Sequence, residues 1–291
     1  MAQASLPRRT LELPKVESEI HFLQRSNLFG TEKPYAFRYH VDAPEVQQTN
    51  MTMSPALVTI RNIRGFEHHF SLESTGFEVI DVGETIPYES FFDGAAVELY
   101  LRGLERLLKS RLGALHVEVF RYGIRKRHPE FPVSTGSKYE YDQPTSVAHI
   151  DTTVDEMLDY VERFPLEKRE LFQGRRCQWL NVWKPLRGPL HDWPLTFCDA
   201  ADIEPDVDLA SADLLYPDLA TENYQVYHRD TYDWYYLDGQ TASEAIVFLQ
   251  ADSKDGAIAG VPHCSFYNPA APPDEKPRES IETRLLVCYE T

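Results

Sequence analysis

Two hydrophobic periodicities alternate along the chain. Over AAVELYLRGLERLLKSRLG, Val97, Leu101, Leu104 and Leu108 recur at three- and four-residue intervals and Gly113 follows. That spacing predicts an amphipathic helix ended by a left-handed glycine. A shorter helix is expected after Thr153, where Thr153 and Glu156 form a capping box, Val154, Met157, Leu158 and Val161 share a face, and Pro165 closes the segment. LEKRELFQ, running to Gly174, predicts a third. Elsewhere the period is two: ALVTIRNI and FSLESTGFEVIDV on either side of a turn at Arg64-Gly65, then HVEVFRYGIR, CQWLNVW, ENYQVYH, WYYL, EAIVFLQ and ETRLLVCY. Many short strands after an early helix predict a mainly β protein, a barrel or sandwich core with helical decoration. Residues 1–55 are polar and proline-bearing, with aromatic pieces such as PYAFRY; they predict an N-terminal arm packed on a single domain spanning 56–291.

Composition narrows the function classes. At 291 residues and 42% hydrophobic content the chain can bury a sizeable core. Its net charge of −17 repels phosphate backbones, so no nucleic-acid partner is expected. No apolar run reaches the roughly eighteen residues of a membrane span, and MAQASLPRRTLELPKVE lacks the apolar stretch of a signal peptide; no membrane partner and a cytoplasmic location are expected. Cys177, Cys198, Cys264 and Cys288 are widely separated, which predicts buried free thiols rather than a zinc knuckle or a disulfide framework. Exposed aromatics in the arm leave room for a homodimer.

Candidate chemistry begins with VAHIDTT, where His149 and Asp151 stand two apart just before the second helix. On a strand such residues point to one face and reach one ion. The motif alone decides nothing: ten His and 46 acidic residues give about 1.6 His-x-Asp/Glu pairs by chance, and the chain has five, at His40, His116, His128, His149 and His228. A facial triad for Fe(II) needs a second imidazole from a distant strand. His263 is the only histidine after His228. Fifteen residues on, Arg278 and Ser280 offer a guanidinium and a hydroxyl on one strand face, a pairing suited to the distal carboxylate of 2-oxoglutarate. On spacing alone, His228/Asp230 competes with His149/Asp151 as the first pair.

The block CQWLNVWKPLRGPLHDWPLTFCDA at 177–200 resembles the fungal and bacterial hydroxylase/desaturase family typified by the aspergillic acid hydroxylase, which includes gibberellin desaturases and relatives of a cephem methoxylase subunit. IRNIRGFEHHFSLESTGFEVID, AHIDTT, WYYL and VPHCSFYNPAAPPDEKPRESIETR occur in the same order, so the resemblance covers about 57–289. It implies a double-stranded β-helix (jelly-roll) oxygenase using Fe(II), 2-oxoglutarate and O₂ on small secondary metabolites. It selects His149 and Asp151 over the later pair and adds His263 as the third metal ligand. Arg278 and Ser280 match the family's terminal arginine and serine, with Arg284, on the same strand face, as the competing cosubstrate anchor. Asn181, Tyr141 or Tyr139 are expected to orient the keto acid end. Trp183 and Arg187 are expected at the substrate, with aromatic packing as the competing role for Trp179, Trp183 and Trp193.

The expected reaction is C–H oxidation of a small natural product, by hydroxylation, desaturation or epoxidation, with 2-oxoglutarate and O₂ converted to succinate and CO₂. Most of the substrate wall is expected from the arm and from the loop at 125–138. Two other readings stay open at the sequence level: a zinc hydrolase using the same three ligands, for which Arg278 has no role, and a non-catalytic jelly-roll scaffold.

Overall fold

The computed structural model describes residues 11–83, 86–133 and 139–290; residues 1–10 of the expected arm and 134–138 of the expected loop lie outside them. In chain order the strands are β1 (Lys15–Leu23), β2 (Tyr35–Phe37), β3 (Met53–Asn62), β4 (Phe77–Asp81), β5 (His116–Lys126), β6 (His149–Ile150), β7 (Cys177–Pro185), β8 (Leu195–Cys198), β9 (Leu209–Leu215), β10 (Ala220–Val226), β11 (Trp234–Tyr236), β12 (Glu244–Asp252), β13 (His263–Ser265) and β14 (Glu279–Cys288). The helices are α1 (Gly94–Leu112), α2 (Val154–Glu162), α3 (Leu166–Arg169) and α4 (Pro205–Asp208).

The strands form two sheets. The larger runs β1-β3-β11-β8-β13-β6-β10-β9-β2 and the smaller runs β4-β12-β7-β14-β5. The larger sheet curls until β1 meets the segment before β6, where His21 N donates to Ser146 O and Ala148 N donates to His21 O, both at 2.8 Å. Face to face, the sheets trap an aromatic layer: Phe197 of β8 lies 5.2 Å from Phe77 of β4 and 5.0 Å from Phe248 of β12, ring centre to ring centre. This is the jelly-roll sandwich.

The central strand β7 is buried at every position, as a strand covered on both faces must be. Its outer cover is α1, which begins where Asp93 accepts from Ala95 N and Ala96 N and ends at Gly113 with φ 61°. Val97, Leu101, Leu104 and Leu108 are its buried positions, as the spacing predicted, and Val97 and Leu101 join Ile281 of β14 in one apolar cluster.

Several elements differ from expectation, each for a local reason. Only Phe77–Asp81 of FSLESTGFEVIDV is a strand; Thr75 N and Oγ1 both donate to Ser71 O, and Gly76 sits at φ 80°. Side-chain and turn hydrogen bonds there outcompete the ladder. In α2 the Thr153 hydroxyl accepts from Glu156 N at 3.1 Å, half of the capping box. The Glu156 carboxylate turns away instead, to Arg163 and to Glu222 N, and occupies the inward position, leaving Leu158 42% exposed. The segment expected as an arm supplies β1 and β2, the two edges of the larger sheet, through backbone pairing to β3 and β9.

The loop into β13 contains Gly260 at φ 131°, where an added Cβ would lie 2.4 Å from Gln250 O and 2.8 Å from Ile150 Cγ2. That conformation is strained for any L side chain, and the strand behind it cannot withdraw. Gly260→Ala should therefore cost at least about 2 kcal/mol of stability. Urea denaturation of the two proteins measures it.

Candidate metal centre

The sandwich holds a cavity of about 900 Å³, lined in part by His149 and Asp151. The larger sheet brings β6 and β13 together as antiparallel neighbours, with His149 directly opposite His263. Their rings lie 4.6 Å apart. Asp151, two residues after His149, completes the group: one ligand atom from each of His149, Asp151 and His263 falls within 4.8 Å of the others. Among the described residues this is the one such cluster of three or more potential ligands. His228/Asp230, the competitor on spacing, lies outside it; the Asp230 side chain is almost fully exposed and pairs only with His228.

The donor set fits a divalent metal. His149 Nδ1 hydrogen-bonds Val147 O at 2.7 Å and His263 Nδ1 hydrogen-bonds Val261 O at 3.1 Å. Each Nδ1 therefore carries the proton, and each Nε2 keeps its lone pair for a metal. The Nε2 atoms stand 3.5 and 4.0 Å from the Asp151 carboxylate. That carboxylate is held in turn: Asn181 Nδ2 donates to Oδ2 at 2.6 Å, Trp179 Nε1 donates to Asn181 Oδ1 at 3.1 Å, and Arg284 Nη2 lies 3.1 Å from Oδ2. Asp151 N donates to Gln250 Oε1 at 2.6 Å. Burial opposes ionisation of Asp151, but the Arg284 guanidinium, helped by the neighbouring imidazoles, holds its carboxyl well below the usual range.

Burial, reinforced by His149, pushes His263 down from 6.5 to about 4. The unfolded chain thus takes up this proton near 6.5 and the folded chain only near 4. The stability linked to His263 is fully present above 6.5 and is lost as pH falls from there towards 4. Metal-free protein should melt at a lower temperature at pH 5 than at pH 7, and His263→Gln should reduce that difference. Thermal scans at the two pH values check it.

Arg278, just ahead of β14, and Ser280, Glu282 and Arg284 at its start stand in alternation. The two arginines have different surroundings. Arg284 pairs with both Asp151 and Glu282. Arg278 is 1% exposed and touches no carboxylate with its guanidinium; Nη1 donates to Trp193 O and Ser265 Oγ, both at 2.7 Å. Arg278 Nε and Ser280 Oγ are buried with no hydrogen-bond partner. Burial, together with the nearby Arg125, pushes the Arg278 guanidinium down to about 9. A buried cation beside two unpaired polar atoms is costly until an anion joins it. Ser265 lies two residues from His263 on the same strand face, which connects this pocket to the metal ligands.

The other sequence-derived candidates fall elsewhere. Asn181 contacts the metal-ligand carboxylate. Tyr141 is not on the cavity wall, and its ring lies 4.7 Å from Lys126 Nζ. Tyr139 donates its hydroxyl to Val133 O. Trp183 is 1% exposed and sits under Arg278, with 5.5 Å from guanidinium to ring, so it packs against the expected anchor and is not among the residues lining the cavity. Arg187 lies 2.9 Å from Glu279 and stacks on Tyr88, away from the cavity. Trp193 packs on Phe131, while Trp179, for which packing was an open role, lines the cavity. Gln250 was missed; an isolated Gln in an apolar strand gives no signal of its tertiary partner. All four cysteines are free and buried, as expected.

Comparison with known proteins gives the arrangement its context. The Fe(II)/2-oxoglutarate-dependent dioxygenase nvfI of Aspergillus novofumigatus is 31% identical over 277 residues, covering 93% of this chain and 96% of that one. The chain belongs to the Fe(II)/2-oxoglutarate-dependent dioxygenases. A family model described as an oxidoreductase/YMDC permease-like domain matches residues 20–288 of the dioxygenase. The hydroxylase/desaturase poxK of Penicillium oxalicum is 28% identical over 286 residues, 87% of this chain and 85% of its own. A solved structure of the iron and alpha-ketoglutarate-dependent endoperoxidase NvfI superposes with a TM-score of 0.83 at 28% identity, covering 97% of this dioxygenase and all of that chain. Among the described residues no helix is long and apolar enough to cross a membrane.

Proposed function

We propose that this dioxygenase oxidises a C–H bond of a small secondary metabolite, by hydroxylation, desaturation or epoxidation, with 2-oxoglutarate and O₂ converted to succinate and CO₂. The observation that carries the reading is the convergence of His149, Asp151 and His263, the first two of which line a substrate-sized cavity. Bound by these three side chains, Fe(II) supplies the oxygen and one-electron chemistry that no side chain offers.

The chain's own residues do the rest. Val147 O and Val261 O fix the imidazole tautomers. Asn181 and Arg284 keep the Asp151 carboxylate oriented and ionised. Arg278 and Ser280 receive the distal carboxylate of 2-oxoglutarate; this assignment is supported by their unpaired buried atoms and by the prior engagement of Arg284. Trp179 and Phe120 line the cavity wall and keep bulk water from the reacting carbon. A cytoplasmic location and a homodimer belong to the same proposal.

Purified protein given Fe(II) and 2-oxoglutarate without oxygen should develop a weak visible charge-transfer band, and admitting O₂ should then yield succinate. A colourless sample that binds no iron by calorimetry contradicts the reading and favours a scaffold. Turnover indifferent to 2-oxoglutarate and to Arg278 favours a zinc hydrolase.

A further inference from the structure

β5 and β14 slip register once, between Arg284 and Leu285: Arg284 faces Arg121, Leu285 faces Val119, and Phe120 faces nothing. A bulge of this kind re-aims side chains, so that neighbours on the bulged strand turn to the same side. Phe120 and Arg121 accordingly both line the cavity, although they are consecutive.

The ring of Phe120 lies 4.6 Å from Tyr160 and 4.5 Å from Trp179, making a three-sided aromatic wall. Beside it, Arg121 lacks any hydrogen bond or ion pair among the described residues. Three other guanidiniums on the cavity wall are engaged, Arg284 with Asp151, Arg163 with Glu156 and Arg125 with Gln143 O, while Arg38, just after β2, is exposed like Arg121 but stands apart from the aromatic wall. The acid nearest in sequence, Glu118, is taken by Lys168 and His116. Asp142 bridges β5 four residues further along, at Arg125, and Asp218 sits in the turn between β9 and β10. Arg121 faces Arg284 in register, and because Arg284 is already matched by Asp151 and Glu282, the exposed Arg121 guanidinium is left open to an incoming anion.

We propose that the bulge at Phe120–Arg121 sets substrate class. The substrate is a mainly apolar small molecule bearing a carboxylate, with its body on Phe120, Tyr160 and Trp179 and its carboxylate on Arg121. The inference rests on the reading of the cavity as the substrate site of the dioxygenase. A planar carboxylate matches a free guanidinium fork, and a charge-assisted pair in a partly enclosed cavity is worth about 10- to 100-fold in affinity.

The test uses decanoate and 1-decanol as probes, with binding to the metal-free full chain read by quenching of tryptophan fluorescence. Decanoate should bind at least about tenfold more tightly than decanol. Arg121→Gln should abolish that preference, Arg121→Lys should retain part of it, and Arg38→Gln, on the opposite wall, should leave it intact. Melting temperatures confirm that each variant is folded. Equal affinities for the two probes in the unaltered protein, or a preference that survives Arg121→Gln, overturn the proposal. The assay contains no iron, no 2-oxoglutarate and no turnover. Its failure alongside a normal charge-transfer band removes the substrate class and leaves the activity, whereas a missing band with an intact Arg121-dependent preference does the reverse.

Discussion

Iron affinity should fall by more than about 100-fold when Asp151 is replaced by alanine, and succinate formation should drop to background. The carboxylate supplies one of three ligands and is the group on which the surrounding scaffold is built: Asn181, Arg284 and Gln250 all engage Asp151. Removing it also leaves the Arg284 guanidinium beside two imidazoles with Glu282 as its remaining partner. Asn181→Ala should behave differently, lowering iron affinity by about 10- to 100-fold while the three ligands stay in place. Calorimetric titration of Fe(II) under nitrogen separates the two. Equal affinities for unaltered protein and Asp151→Ala would remove the carboxylate from the site.

Replacing Arg278 by leucine should raise the KM for 2-oxoglutarate by about 100- to 1000-fold and leave Fe(II) affinity near its original value. The size follows from the loss of a buried charge pair worth about 3–5 kcal/mol. Because the Arg278 guanidinium has no carboxylate partner among the described residues, its replacement strands no buried acid. The fold should therefore tolerate leucine. Arg284→Leu should show the opposite pattern, with weakened iron binding and a smaller change in KM, because its guanidinium lies on Asp151. Initial rates across 2-oxoglutarate concentrations, paired with iron titrations, separate the two arginines.

The legible part of this protein is the part governed by local spacing. The stripe of α1, its terminating Gly113, and the Thr153 cap all follow from interactions within a few residues. The alternation from Arg278 to Arg284 likewise places side chains on one face, because a strand enforces period two. What the spacing leaves open is which partner each side chain meets. Arg278 and Arg284 share one alternation and differ because Asp151 and Glu282 reach only Arg284. Tyr141 and Arg187, chosen for proximity in sequence to site residues, are drawn off by Lys126 and Glu279. The edge strand β1 alternates, with Val16, Ser18, Ile20 and Phe22 on the face opposite its charges, but its pairing with β3 is settled by hydrogen bonds between segments far apart in the chain. The bulge at Phe120 leaves no trace in the pattern, since an extra residue shows only in the pairing of β5 with β14.

The strands that carry the imidazoles are among the shortest in the molecule, two residues in β6 and three in β13, and a single register pair joins them. The nine-stranded sheet is thus stitched most thinly where its ligands meet. Five strands lie to one side of that stitch and four to the other. A cross-link through His149 and His263 would clamp the halves, so exchange of backbone amides with deuterium should slow first along this line when the enzyme takes up its ion, well before the rim of the molecule responds.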